Sequence, residues 1–345
     1  MTIEIRPVRG PLTDEALGWI AGLYGAVDAK YGSTDFVRHQ VVDNPFGWSA
    51  HVFVLDDGRA VGHCCAVPFS ARRGGTTLVA GKIEAVVVAA EYRGRRADGR
   101  NLATEMLSRL YPFGIECGMD GLFGFAPPHV ARVHVRAGCH EVPADAPAYT
   151  LLTHAAAYAR SEVSARRRAT VELLGAAQAI TSRVPRLVAG PSGFRVETPA
   201  PTDAELAAAN VDTAAWTVSG ADAWEWFAGS GTLEVLELPG QSGSRALVRI
   251  PQTGASPAQI VAWRPRSRGL RPALRLLDAA ARLARERGAP TLRFQPWPGD
   301  GGNGSLARAC ALAGLVRRPE APLVVYSPDA GFDRLRVTPF LYVTF

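Results

Sequence analysis

The chain has 345 residues, 47% of them hydrophobic and 20% charged, with a formal net charge of +6. That length supports about two domains with sizeable cores, and no apolar run approaches the roughly 18 residues of a membrane helix. Arginine carries almost all of the positive charge, since Lys30 and Lys82 are the only lysines; the balance suits a ligand with phosphates. The five cysteines, two of them adjacent at Cys64 and Cys65, do not read as a disulfide framework. The N-terminus, "MTIEIRPVRG", alternates like a strand and lacks the apolar core of a signal peptide. A cytoplasmic protein is expected, without membrane association.

The first half reads as mixed α and β. "TIEIRPV" is a strand candidate, and "TDEALGWIAGLYGAVDAKY" carries apolar residues at helical spacing behind Thr13, an N-cap residue. In "AHVFVLDDGRAVGHCCAVPF" the pair Asp57-Gly58 sits between two alternating apolar runs, as a tight hairpin requires. "TTLVAGKIEAVVVAA" continues the sheet, and "EYRGRRADGRNLATEML" then opens a helix. A strand "GLFGFA", a helix "VARVHVRAG" ended by Gly138 and a closing strand "PAYTLLTH" follow. Residues from about Ala155 to Val184 read as helix, including the basic run Arg166 to Arg168, and "VPRLVAGPSG" reads as a linker.

The order of the first half recurs in the second. Helix, Gly118, "GLFGFAPP" and a helix ending "RAGCHEV" are matched by "ALRLLDAAARLARERG", Gly288, "TLRFQPWP" and a helix ending "LAGLVRR". Each half is therefore expected to hold one copy of an α/β unit.

A glycine-studded, arginine-heavy turn between a buried strand and a helix suits a phosphate. Unpaired N–H groups at a helix start favour an anion, glycine permits close approach, and arginine adds bidentate charge. The plain alternative is a solvated turn with its arginines in water.

"VVVAAEYRGR" and the order helix, hairpin, long strand, Arg/Gly loop, helix, strand, helix resemble the GNAT acyltransferase family. The closest match to that family's pyrophosphate loop is Arg96-Ala97-Asp98-Gly99-Arg100-Asn101, led in by Arg93-Gly94. It departs from the pattern in ending on Asn101 and in being one residue longer. "NPFGW", "DDGRAVGH" and "GLFGFAPP" further resemble a subgroup with two GNAT-like halves, found in polysaccharide and natural-product pathways. The resemblance implies an α/β fold, a mixed sheet with flanking helices, in two tandem GNAT-like domains. These are expected at residues 1–155, with the donor site, and 191–345, joined by a helical linker at 156–190. The second copy is expected to be degenerate. Its equivalent stretch, "AWRPRSRGLRPALRLL", is interrupted by Pro265 and Pro272 and offers only Gly269, so it reads as structural or as a wall of the acceptor site.

The resemblance also implies a donor, acetyl-CoA or another acyl-CoA, and a small amine as acceptor: an amino sugar or a natural-product intermediate. Backbone at Val86 and Val88 would hold the thioester and pantetheine arm, and Arg93, Gly94, Arg95, Arg96, Gly99 and Asn101 the pyrophosphate. Glu84, a carboxylate within an apolar strand, is costly unless it has a partner or a task. It is either the general base found at this place in some GNAT enzymes or a partner of Lys82 or Arg72. No tyrosine lies between Tyr111 and Tyr149, so His129 stands in for the family's general acid; a surface or capping role is its plain alternative. His134, Cys139 and His140 match no common zinc spacing, and no metal is expected. Cys64 and Cys65 read as core, and Trp216, Trp224 and Trp226 as core or as a wall of the acceptor pocket. A second function is an aminoacyl-tRNA-dependent amide-forming transferase, with Arg264, Arg266, Arg268, Arg271, Arg275 and Arg166 to Arg168 as RNA contacts; DNA is not an expected partner. A third is a binding module without catalysis, which the Arg/Gly loop and Glu84 argue against.

Overall fold

The computed structural model describes residues 3–73, 76–142, 148–162, 165–181, 183–190, 193–197, 217–218, 226, 231–239, 244–251, 257–264, 269–295, 304–318, 323–328 and 336–337. In chain order the first half runs β1 (Ile3–Arg9), α1 (Asp14–Gly25), α2 (Thr34–Val41), β2 (Ala50–Asp56), β3 (Arg59–Arg73), β4 (Thr76–Val88), β5 (Arg96–Ala97), β6 (Arg100–Asn101), α3 (Leu102–Glu116), β7 (Gly121–Phe125), α4 (Pro128–Arg136), β8 (His140–Val142) and β9 (Ala148–Leu152). Three helices follow, α5 (Ala155–Glu162), α6 (Ala165–Thr181) and α7 (Val184–Ala189). The second half holds β10 (Arg195–Glu197), β11 (Thr217–Val218), β12 (Gly231–Glu237), β13 (Arg245–Pro251), β14 (Ala258–Arg264), α8 (Leu270–Glu286), β15 (Thr291–Phe294), α9 (Gly304–Leu312), β16 (Val316–Arg318), β17 (Leu323–Tyr326) and β18 (Arg336–Val337). Among the described residues no helix is long and apolar enough to cross a membrane.

Local chemistry accounts for the element ends. The Thr13 hydroxyl accepts from the Ala16 N–H and caps α1, as its position before the apolar-periodic run predicts. Asp57 and Gly58 both take positive φ, 48° and 81°, the mirror-image turn that matches strand twist between β2 and β3.

Two mixed sheets result. The first has the order β1-β2-β3-β4-β7-β17-β8, with β11 beside the far end of β3 and β18 beside β11. The second has the order β10-β12-β13-β14-β15-β9-β16. The sheets therefore exchange strands. The "AYTLL" strand, which the sequence places at the close of the first half, pairs with β15 and β16 of the second sheet. In return β17 enters the first sheet between β7 and β8. Neither sheet is built from one side of residue 155 alone.

The first sheet is covered on both faces. Helices α3 and α4 bring Leu102, Met106, Leu110, Tyr111 and Ala131 against Val52, Val54, Cys64 and Ile83. On the other face α1 and α2 bring Leu17, Ile20, Tyr24, Val37 and Val41 against Phe53, Leu55 and Cys65. In the second sheet α8 buries Leu274, Leu276, Leu277 and Leu283 against Leu236, Val248 and Leu292. Each such leucine contributes roughly 1.5–3 kcal/mol on burial.

The internal repeat is visible in backbone conformation. Gly118 and Gly288 follow α3 and α8 with φ of 104° and 74°, and Gly138 and Gly314 follow α4 and α9 with φ of 113° and 80°. Pro272 does not interrupt the second-half helix. It sits in the first turn of α8, behind Gly269 at the N-cap, where a missing N–H leaves no hydrogen bond unmade.

Candidate functional site

Strand β4 organises the first sheet's polar residues. It pairs with β7 in parallel only at Ala80–Lys82, opposite Gly121–Phe123, while on its other side it stays paired with β3 out to Val88. The register against β3 breaks between His63 and Cys65: Cys65 faces Glu84, and His63 faces Val87. β4 thus carries one extra residue, and Ala85 takes φ of 37°, an uncommon conformation for a residue with a side chain. The bulge turns β4 just after Glu84 and just before the half-buried Val86, Val87 and Val88.

The loop after β4 is more ordered than a glycine-rich turn. Ala89 N–H donates to the Val61 carbonyl at 2.9 Å, and a single tight turn covers Ala90–Tyr92. Gly94 follows with φ of 87°. Arg96–Ala97 then pairs with Arg100–Asn101 as a minimal hairpin, whose turn residues Asp98 and Gly99 have φ of 51° and 78°. The Asn101 side chain accepts from Thr104 N–H at 2.8 Å and caps α3. The residue that departs from the GNAT pattern therefore occupies one of the helix-start donors. Arg95 lies over the Tyr92 ring at 4.2 Å, and the Tyr92 hydroxyl donates to Asp56 Oδ2 at 2.6 Å. Arg93 Nε donates to the Val88 carbonyl at 3.2 Å, while Arg109 reaches Asp98 and Glu105. Arg93, Arg96 and Arg100 remain exposed around the hairpin.

Glu84 is buried and ion-paired with Lys82, itself buried. Desolvation raises the Glu84 carboxyl above its ordinary range, and Lys82 opposes that rise. Beneath α1 and α2 a polar seam continues from this pair across three strands. Cys65 donates to the Glu84 carbonyl. The Tyr24 hydroxyl lies against His63, His63 Nε2 is 3.1 Å from His51 Nδ1, and His51 Nε2 is 2.7 Å from Ser49 Oγ. Ser49 in turn donates to the Val41 carbonyl at 2.5 Å. Burial holds His51 down to about 3, and His63 is likewise depressed by burial and by its neighbour His51. The sequence singles out His63, Cys65 and Glu84 but not Tyr24, His51 or Ser49. Tyr24 shows only as an apolar-periodic helix position, and β2 is buried on both faces, so no alternation marks His51.

His51, His63 and Cys65 bring three ligand-type atoms within 4.8 Å of one another. All four ring nitrogens are already engaged in the hydrogen bonds above, so the cluster is fully accounted for as a neutral network. The histidines of α4 stand apart. His134 is buried against Tyr111, whose hydroxyl is 2.8 Å from His134 Nδ1, and burial lowers it to about 4. His129 is exposed in the first turn of α4.

A pocket of about 400 Å³ opens on the α1 face at the end of β4. Its walls are Gly18 to Leu23 of α1 with Ala26 and Val27 just past that helix, the start of β3 at Arg59 and Ala60, and Val87 to Ala90 with Glu91 and Arg93. The residues expected to hold an acyl donor, Val88 and Arg93, thus border it. Trp226, expected as core or pocket wall, is buried as core, packed on the first half: its indole N–H donates to the His39 carbonyl and its ring lies 5.8 Å from Phe69. Trp216 and Trp224 lie outside the described residues, as do Arg266 and Arg268. Arg275 donates to the Ala189 carbonyl at 2.7 Å, and Arg271 is exposed.

The architecture matches solved structures over nearly the whole chain. A conserved protein of unknown function from Enterococcus faecalis, described as a probable N-acyltransferase, superposes with a TM-score of 0.57 at 12% identity, covering 94% of this chain and 72% of that one. A tandem GNAT protein from the clavulanic acid biosynthesis pathway gives 0.56 at 14% identity, covering 94% and 98%. A GCN5-related N-acetyltransferase from Anabaena variabilis gives 0.55 at 13%, covering 93% and 72%. No protein-family model matches the sequence, and no curated protein matches it. The chain has the GNAT fold, in the tandem form that the sequence resemblance implies.

Proposed function

We propose that this protein is an acyl-CoA-dependent N-acyltransferase acting on a small amine by direct transfer. The observation that carries the reading is the course of β4 within a GNAT fold. The strand bulges at Ala85, leaves the pairing with β7 after Lys82 and runs into a loop with exposed arginines at the start of α3.

The acyl-CoA supplies a thioester: the amine nitrogen bonds to its carbonyl carbon, the carbon–sulfur bond breaks, and the thiolate takes up a proton. The loop fits the donor's phosphates. Gly94 and Gly99 have open space where a side chain would stand, so backbone can approach an anion closely, and Arg93, Arg95 and Arg96 contribute positive charge. Val86 and Val88, beyond the pairing with β7, are the backbone positions for the thioester and its arm. Glu84 is the general base. A carboxyl raised by burial accepts a proton near neutrality more readily than an exposed one, the condition for efficient base catalysis. His129, at the opening of α4, returns a proton to the thiolate. The second half contributes β17 to the catalytic sheet and no donor site of its own.

The reading is tested by incubating the protein with labelled acetyl-CoA and a panel of primary amines. Label transferred to an amine, with one thiol released per amide formed, is the expected result. No transfer to any amine, together with no release of free thiol, contradicts it.

A further inference from the structure

The start of α3 is partly closed by its own chain. A helix start offers an anion its unpaired N–H groups. Here the Leu102 N–H, at the first helical position, donates to the Arg95 carbonyl at 3.2 Å. The Thr104 N–H, two residues on, is taken by the Asn101 side chain at 2.8 Å. Glu105, buried in the same turn, adds a carboxylate, which offsets the positive end of the helix dipole. An anion arriving there meets fewer donors and less positive field than an open helix start provides.

The hairpin supplies positive charge instead. Arg109 bridges Asp98, in the hairpin's turn, at 3.2 Å and Glu105 at 2.9 Å, so the hairpin is docked on the first turn of α3. Arg96 stands directly opposite Asn101 in the hairpin ladder, and directly opposed residues share a face. Arg100 takes the other face, with its Nη1 4.0 Å from Glu105 Oε2 and its side chain 54% exposed. Arg93 and Arg95 lend charge from fixed places, the Val88 carbonyl and the Tyr92 ring. Arg96 and Arg100 are exposed beside the start of α3.

We propose that guanidiniums rather than the helix start hold the donor's diphosphate: Arg96 and Arg100 pair with it, and Asn101 withholds the Thr104 N–H from it. Arg100 is then a donor-binding residue, and Asn101 is a determinant that weakens donor binding. This assignment rests on the acyltransferase reading and specifies how its donor is gripped. A bidentate guanidinium–phosphate pair needs no helix N–H, so a loop that departs from the GNAT pattern at Asn101 can still bind.

The test is calorimetric titration with CoA and, separately, with inorganic pyrophosphate. Arg96→Ala and Arg100→Ala should each weaken CoA binding by about tenfold. Asn101→Gly should strengthen it by about two- to fivefold, the range an anion gains at a helix N-terminus. Glycine is itself an acceptable N-cap, so α3 is retained. Arg271→Ala, at an exposed arginine of the second half, should change nothing and so controls for bulk charge. Unchanged CoA affinity in either hairpin arginine variant, unchanged or weaker affinity in Asn101→Gly, or an equal loss in Arg271→Ala overturns the proposal. If CoA does not bind but pyrophosphate does, with the same order among the variants, the acyltransferase reading falls and the arginine grip stands. If neither binds, the grip falls as well.

Discussion

The Tyr24 hydroxyl lies 3.0 Å from His63 Nδ1, across 39 residues of sequence, and it ends a buried seam whose proton order is fixed from the other end, at Ser49. Ser49 has a single proton, which goes to the Val41 carbonyl. His51 Nε2 must then donate to Ser49 Oγ, His63 Nε2 to His51 Nδ1, and Tyr24 to His63 Nδ1. Every bond runs in one direction, and both histidines are neutral.

That neutrality makes the fold acid-sensitive. An unfolded histidine titrates near 6.5, whereas His51 in the fold is held down to about 3 and His63 is also depressed. Below about pH 6.5 the unfolded chain therefore binds more protons than the fold. The stabilisation is complete above that pH and is lost as pH falls from there toward the folded values. Each histidine that stays neutral costs on the order of 1 kcal/mol per pH unit in that window. Urea unfolding from pH 8 to pH 4.5 should show a flat midpoint that declines below about 6.5, with a shallower decline in His51→Asn. A midpoint unchanged down to pH 5 contradicts the protonation states assigned here.

Substitutions at the Glu84–Lys82 pair separate the catalytic role proposed for Glu84 from the pair's part in stability. Glu84→Gln should retain CoA binding and lower turnover by about a hundredfold or more, the usual scale of general-base catalysis. Lys82→Met leaves a buried carboxylate without its partner, and should cost roughly 3–5 kcal/mol in urea unfolding. Turnover near wild type in Glu84→Gln across pH would make the pair purely structural.

Gly99 tests the loop. Its φ is 78°, with nothing within 4 Å of a Cβ, so a substitution is opposed by backbone conformation rather than by a clash. Gly99→Val should weaken CoA binding by about tenfold, roughly 1.4 kcal/mol. Gly99→Asn should bind nearly as wild type, because asparagine tolerates the left-handed region. Equal affinity for both variants and the wild type, by calorimetry, would remove the hairpin from the donor site.

The strand exchange predicts that residues 1–155 do not fold alone. Without β17 the paired edge of β7 is exposed and β8 loses its described neighbour, and β9 has no sheet to join. Co-expression with residues 156–345 should restore a soluble complex. A folded 1–155 fragment with dispersed amide resonances would contradict this.

What the sequence made legible was local. Thr13 before an apolar-periodic run and Asp57-Gly58 between alternating strands carry their own conformations, and the helix–glycine–strand order of the repeat survives in the backbone. Pairing between distant strands carries no such mark, so the destinations of β9 and β17 could not be read. The seam escaped for a related reason. His51, His63 and Tyr24 meet only once the registers of β2 and β3 and the docking of α1 are known. Asn101 read as a departure from a motif, and in the fold it is a helix cap. The loop's hairpin was written in Asp98-Gly99, a strong turn pair, but the glycine-rich reading of the stretch obscured it.

The choice of donor is the central claim, and native mass spectrometry tests it most directly. The protein is presented with acetyl-CoA, longer acyl-CoAs and charged tRNA in one competition. One acyl-CoA per chain is the predicted result, weakened by about tenfold in Gly99→Val and unaffected when Arg264, Arg266, Arg268 and Arg271 are replaced by Ala. A tRNA contacts many phosphates, so its binding would fall steeply with salt and with loss of those arginines. Retention of charged tRNA with no acyl-CoA bound, weakened by the four arginine substitutions, would contradict the account.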